Sequence, residues 1–339
     1  MGLAGSGKST FISQVTGQDV GVGHGLQSCT QSLSFHCVEL NGKLVYLVDT
    51  PGFNDTSRHD VGILQELAFF LARTYERGVP FGGIICLHRI SDNRMSGSAV
   101  KNFALLQKIC GRRAASRVVL ATCLWDNVQV TKEDMQAALE REKELARTRK
   151  FFGALLEDGS SMTRWTGDQN SALDIVQDLV AAHAEEGPAS LPLQRELVDE
   201  KKELYQTSAG RFMLENFTKL AQKSRQELQE LRRVHAAAIQ DSQLSLAEQA
   251  LAQRSRLQNR LEEIEDAETA MHVRVEHIEQ EQAAAFRRLL SSVQSDSAAH
   301  VTQLEQDRRR WDTLQRVKRR DQEAFQHEQE RHARHAAYL

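Results

Sequence analysis

With 339 residues the chain is long enough for one α/β domain plus a substantial second module, at about 100 to 200 residues per domain. Its formal net charge of -3 gives no global pull toward nucleic acid or anionic lipid, and no apolar run approaches the roughly 20 residues that span a bilayer. Aromatic residues make up only 6%, which is lean enough to say that part of the chain lacks a thick core.

The chain opens on Gly2-Leu-Ala-Gly5-Ser6-Gly7-Lys8-Ser9-Thr10, which fits G-x-x-x-x-G-K-[ST] at every fixed position. Glycines let the backbone wrap so that successive N–H groups point at a phosphate, and the following helix presents its positive end to the same anion. In this reading Lys8 neutralises β- and γ-phosphates and Ser9 offers its hydroxyl to Mg²⁺. Only Met1 precedes Gly2, whereas such a loop should follow a buried strand of about five or six residues. The first strand of the sheet is therefore expected to be missing, and the reading frame is expected to continue upstream with a β-rich run.

Helix is predicted from Ser9 to Val15, followed by the glycine-rich stretch from Gly21 to Gln31. That stretch is a candidate first switch, with Thr30 chosen as the hydroxyl that closes on Mg²⁺ and the γ-phosphate, and Ser28 and Ser32 as competitors. Strands follow near Leu33 to Leu40 and from Leu44 to Val48. The second ends in Asp49-Thr50-Pro51-Gly52, a D-x-x-G sequence at the strand end where open α/β sheets bind ligands. Asp49 would hold Mg²⁺ through water, and the Gly52 N–H would sense the γ-phosphate.

Helices are predicted over Asp60 to Arg77, Ser98 to Cys110, Thr131 to Arg149 and Asn170 to Ala184, with an apolar strand ahead of the polar cluster His88, Arg89, Asp92, Asn93 and Arg94, and a buried strand over Arg117 to Leu124. After the last of these strands, Cys123-Leu124-Trp125-Asp126 stands where an N/T-K-x-D sequence would read guanine. Only the Asp is kept. Asp126 is read as the acceptor for guanine N1 and N2, against the plainer reading as a cap or turn residue, and Ser160 within Gly159-Ser-Ser161 is proposed for the guanine carbonyl. Cys29, Cys37, Cys86, Cys110 and Cys123 form no C-x-x-C pair, which suggests reduced thiols and no zinc site.

Residues 185–192, with Gly187, Pro188 and Pro192, read as a linker between a head (1–184) and a tail (193–339). From Arg211 onward there are 129 residues without Gly or Pro, rich in Gln, Glu, Arg, Ala and Leu. Leu257, Leu261, Ile264, Met271, Val275 and Ile278 follow alternating four- and three-residue steps, with Glu268 and Gln282 as polar intrusions on that seam, the narrow stripe of a coiled coil. As a single helix this segment would reach roughly 190 Å, so its stripe needs a partner. Either another chain supplies it or the tail folds back as a hairpin, with Gln240 to Gln249 one place for the bend. The tail carries 24 Lys plus Arg and 25 Asp plus Glu, a solvated stalk in place of a nucleic-acid arm.

Together the motifs resemble the translation-factor-related class of P-loop GTPases, nearest to septins and the immune-associated (GIMAP) GTPases. The residues that carry this are Gly2 to Thr10, Asp49 to Thr56, and Gly83 to Arg94; the last stretch looks like that of fungal P-loop GTPase-domain proteins of unassigned role. The resemblance covers roughly residues 1 to 184. It implies a three-layer α/β/α head, GTP/GDP as ligand and dependence on Mg²⁺. Phe53 follows Gly52, so the glutamine that positions water in small regulatory GTPases is not in its place, and hydrolysis is expected to be slow or completed across a dimer. The expectation is a nucleotide-gated switch or assembly module, forming a homo-oligomer or pairing with a coiled-coil partner in the cytoplasm. Two alternatives stay open: a scaffold with a vestigial nucleotide head, and an ATP-hydrolysing P-loop protein.

Overall fold

The computed structural model describes residues 1–18, 33–52, 60–128, 131–187, 189–240, 244–272 and 291. Met1–Gln282 form one compact unit and Ala283–Leu339 a second. Val275, Ile278 and, apart from Ser291, the rest of the far tail lie outside the described residues.

Strands β1 (Ser34–Leu40) and β2 (Lys43–Asp49) pair antiparallel, with Leu40 opposite Lys43 and Ser34 opposite Asp49. Asn41 and Gly42 close the hairpin, both at positive φ (51° and 73°), as a two-residue primed turn requires. A parallel sheet in the order β3 (Ile84–Arg89), β4 (Val118–Cys123), β5 (Ser161–Arg164) forms the centre of the head. Gly2 makes a parallel bridge to Leu87, and the Leu87 N–H donates to the Met1 carbonyl at 2.9 Å. Every residue of β4 is buried, as expected for the middle of a parallel sheet covered on both faces.

Helices α1 (Lys8–Thr16) and α6 (Gln169–Glu186) cover one face, where Phe11, Ile12, Val15, Ala172, Ile175 and Val176 pack on Leu87, Val119 and Ala121. On the other face, α2 (Asp60–Glu76) and α3 (Gly97–Cys110) bury Leu64, Leu67, Leu71, Phe103, Leu106 and Ile109 against Ile84, Cys86, Val118 and Leu120. The three-layer α/β/α head is thus present. Helix α4 (Lys132–Arg147) begins where Thr131 accepts from the Asp134 N–H at 3.1 Å, the cap that Thr131 and Asp134 predict. A π-turn (Arg149–Gly153) then leads into the short α5 (Ala154–Glu157).

The stretch read as a linker is a packed joint. Leu191 and Leu193 are fully buried, and the Gln194 amide accepts from the Leu191 N–H at 2.9 Å while donating to the Leu71 carbonyl of α2 at 3.2 Å. Helix α7 (Pro192–Val198) therefore lies on α2 within the same compact unit as the head. Glu196, also buried, accepts from the Ser208 N–H (2.9 Å) and hydroxyl (2.8 Å), fixing the start of α8 (Ser208–Gln240).

Helix α9 (Leu244–Met271) packs along α8. Arg225 pairs with Glu265 at 2.9 Å and Thr218 meets Glu268 at 3.4 Å, so the two run antiparallel. Of the two arrangements left open for the tail, the described residues show the fold-back, with α8 ending at Gln240 and α9 beginning at Leu244. The buried stripe runs through Ala221, Ser224, Leu228 and Ala238 on α8, and Ala247, Ala250, Ile264, Ala267 and Met271 on α9. Small residues dominate it, which allows close approach of the helix axes. No helix among the described residues is long and apolar enough to cross a membrane.

Candidate functional site

The glycine loop occupies the turn between Met1–Gly2 and α1, at the C-terminal end of the parallel strands. Gly2 sits at φ 143°, and a Cβ there would lie 2.4 Å from the Leu87 carbonyl oxygen, so no other residue lets the chain run this close to β3. Gly7 caps α1 in the left-handed region, φ 80° and ψ 22°. Lys8 curls back over the loop, its Nζ donating to the carbonyls of Leu3 (3.0 Å) and Gly2 (3.3 Å). The ammonium is thereby held over the glycine loop, one positive charge where phosphate oxygens would collect.

Ser9 and Asp49, forty residues apart in sequence, meet directly. The Ser9 hydroxyl donates to Asp49 Oδ2 at 2.7 Å, and Asp49 is 3% exposed at the end of β2. Two hard oxygen donors beside an anion-binding loop fit Mg²⁺. Among the described residues no group of three or more His, Cys, Asp or Glu could hold a metal ion. A cation here would share its coordination with phosphate and water. Gly52 presses against the loop from the other side, with a Cβ at that position 2.6 Å from the Ala4 nitrogen. Ser6 is buried within the loop and Thr10 lies on the first turn of α1. Thr30 and its competitors Ser28 and Ser32 lie outside the described residues.

Cys123, read from sequence as a departure from the usual pattern, ties the site together. Its thiol lies 3.2 Å from the Ser6 carbonyl and 3.3 Å from that of His88, linking β4 to both the glycine loop and β3. Burial pushes the thiol pKa up to about 12, so it remains a neutral S–H donor to those carbonyls. Leu124 turns the chain at φ 59°, Trp125 is buried, and Asp126 is left exposed on the next turn. Arg164 lies over the Trp125 ring at 4.4 Å and pairs with Glu142, which steadies this corner.

Ser160 is not brought to the other site residues. It is buried before the first residue of β5, its hydroxyl donating to the Ala115 carbonyl at 3.0 Å, whereas the glycine loop lies beyond the far end of that strand. A parallel strand of four residues separates its ends by roughly 10 Å or more. The segment that does reach the site is Trp165-Thr166-Gly167-Asp168. A Cβ at Gly167 would lie 3.5 Å from Asp126 Oδ2, and Trp165 stands 3.2 Å from a Cβ position on Gly7. Trp165 also packs edge-on against Phe11, with ring centroids 5.1 Å apart. Asp168 caps α6, accepting from the Ser171 N–H at 2.9 Å, and hydrogen bonds from Thr166 and Ser171 hold its pKa down to about 2. The usable signal in the sequence was the run from Thr166 to Asp168, a turn and helix cap directly ahead of an apolar helical face.

The polar residues after β3 are tied to one another and to α4. His88 is buried edge-on between Phe103 and Phe152, and burial lowers its pKa to about 4. Arg89 pairs with Asp92 at 3.1 Å, and Arg141 of α4 donates to the Ile90 carbonyl and Asn93 Oδ1.

A glycine loop with its lysine folded over it, a hydroxyl–carboxylate pair beside it and a D-x-x-G strand end are the parts of a P-loop phosphate site. Residues 1–76 match the family described as 50S ribosome-binding GTPase. No protein of curated function matches the chain. Among solved structures, the chain is similar to Toc33 from Arabidopsis thaliana in complex with Mg²⁺ and GMPPNP, at 13% identity and a TM-score of 0.43, covering 56% of this chain and 85% of that one. A dimerization-deficient Toc33 mutant gives 12% identity and a TM-score of 0.44, over 56% and 84%. A structure described for the importance of dimerization to the GTPase activity of the chloroplast translocon components atToc33 and psToc159 gives 11% and 0.46, over 56% and 83%.

Proposed function

We propose that this chain binds GTP and GDP with Mg²⁺ and works as a slow or dimerisation-dependent GTPase, a cytoplasmic nucleotide-gated switch or assembly module. The observation that carries the reading is the meeting of Ser9 and Asp49 beside the Lys8-crowned glycine loop, because neither residue alone specifies a metal–phosphate site. Lys8 compensates the charge of the β- and γ-phosphates, and the amides from Gly5 to Thr10 orient them. Ser9, Asp49 and the switch hydroxyl of Thr30 would hold Mg²⁺, which would supply charge neutralisation to the phosphates. Asp126, exposed beside Gly167, accepts from the N1 and N2 hydrogens of guanine, which adenine does not offer in that pattern.

Hydrolysis is slow in this account because Phe53 stands where a water-positioning side chain would be. Pairing of heads or of stalks completes it. Calorimetric titration of the full chain with GTP and with ATP, each with Mg²⁺, is the test. GTP binding at least about tenfold tighter than ATP is expected from one paired acceptor site. Equal or tighter ATP binding removes the guanine assignment and favours an ATP-hydrolysing protein.

A further inference from the structure

The far end of the α8–α9 hairpin has a surface unlike the rest of the protein. Among the described residues, the large hydrophobics that stand exposed are Ile239, Leu246 and Leu251, at 56%, 41% and 42%. All three lie near the hairpin end, where α8 stops at Gln240 and α9 starts at Leu244. At 1.5 Å per residue they fall within about 10 Å of that end, two helical turns. Ala236, Ala237 and Ala252 are exposed among them. Single leucines scattered over a surface are ordinary, but exposed large hydrophobics gathered at one place mark a contact surface.

Charge changes along the hairpin as well. Residues 231–260 carry five arginines (Arg232, Arg233, Arg254, Arg256 and Arg260) against two acids, Asp241 and Glu248, within a tail of 24 basic and 25 acidic residues. Glu230, 3.5 Å from Arg233, is the first acid behind them on α8. Arg232, Arg233 and Arg256 are exposed, and with Arg254 they form a band about 10 to 20 Å back from the end. An apolar cap with a basic band behind it suits a bilayer met from one side. The cap enters the boundary between headgroups and acyl chains to a depth of about 5 to 10 Å, and the long arginine side chains reach the headgroup charges.

A second copy of the hairpin fits this surface less well. Leu246 and Leu251 stand about 140° apart around α9, so the exposed apolar groups wrap the hairpin end and give no single stripe into which a partner helix could pack. Two such ends meeting would also bring like-charged bands together, whereas anionic headgroups offer the opposite charge. We propose that the end of the α8–α9 hairpin docks on a bilayer surface that contains anionic lipid. The contact is peripheral, and it does not depend on the nucleotide site.

The test is flotation of the full chain with vesicles of phosphatidylcholine alone and of phosphatidylcholine mixed equally with phosphatidylserine. The parent should bind the mixed vesicles at least about tenfold more tightly than the neutral ones, and added salt should weaken that binding. The variant Ile239→Ser/Leu246→Ser/Leu251→Ser and the variant Arg232→Glu/Arg233→Glu should each lower it about tenfold or more, with the unfolding midpoint unchanged because every substituted side chain is exposed. If the serine variant does not fold, the glutamate pair still decides. No binding of the parent to the mixed vesicles, or binding by both variants within about twofold of the parent, overturns the proposal. Sedimentation without vesicles supplies the remaining outcome: self-association lost in the serine variant, with no vesicle binding by the parent, gives the hairpin end to a second copy and overturns the lipid assignment.

Discussion

The phosphate end and the base end of the candidate site are built in opposite ways. At the phosphate end most contacts come from one stretch of nine residues, Gly2 to Thr10, with Asp49 and Gly52 arriving from a single neighbouring strand end. At the base end, Asp126 follows β4, Gly167 follows β5, and Cys123 and Trp165 brace the two against the glycine loop. A phosphate is recognised by backbone amides that consecutive residues can supply, whereas a base edge is recognised by side chains that only the tertiary fold brings together. The phosphate end should therefore be sensitive to backbone changes and the base end to side-chain chemistry.

The largest effect expected is at Gly2. An alanine Cβ would lie 2.4 Å from the Leu87 carbonyl and 2.8 Å from Ser6 Oγ at a φ of 143°. Gly2→Ala should destabilise the head by about 3 kcal/mol or more in urea unfolding, and a loss under about 1 kcal/mol would mean that the close approach to β3 is relaxed in solution. Next is His88, beneath the same end. Its folded pKa of about 4 is below the value of 6.5 for an unburied imidazole, so the neutral form is the folded one. Its contribution is fully present above pH 6.5 and is lost as the pH falls from 6.5 toward 4, by up to about 3 kcal/mol. His88→Phe should flatten that part of the pH–stability curve, and an unchanged slope would assign the acid sensitivity elsewhere.

At the base end, Asp126→Asn should weaken GTP by about 2 kcal/mol, because a carboxylate accepting two N–H groups is replaced by an amide that can accept only one. Stability should hardly change, since Asp126 is exposed. Smallest is Ser160→Ala, expected to cost about 1 kcal/mol of stability through the lost bond to Ala115 and nothing in nucleotide affinity. A selective loss of GTP binding there would restore Ser160 to the site.

The same contrast explains what was legible in the sequence. The glycine loop, Asp49, Gly52 and the capped helices could be read because each is a local pattern with a local physical cause, as with Thr131 on α4. Ser160 was misplaced because a strand of four residues, Ser161–Arg164, leaves almost no periodic signal, so which end faced the loop could not be told. Cys123 looked like a defect because its usefulness depends on Ser6 and His88, far away in sequence.

In the stalk, the large apolar residues Leu257, Leu261, Ile264 and Met271 make a legible stripe. Ala221, Ser224, Ala238, Ala247 and Ala250 are buried in the same helix pair and are too small to register as a stripe. Leu191 and Leu193 were hidden among the glycine and prolines around them, which read as a linker although the fold buries both leucines.

The central claim is that the amino-terminal glycine turn and its lysine hold a nucleoside triphosphate. Its most direct test is calorimetric titration of Lys8→Ala with GTP and Mg²⁺ beside the parent chain. Loss of a charge-assisted contact to two phosphates should weaken binding by about 100-fold or more, roughly 3 kcal/mol, with the unfolding midpoint little changed. Parent-like affinity in a folded Lys8→Ala protein would contradict the account.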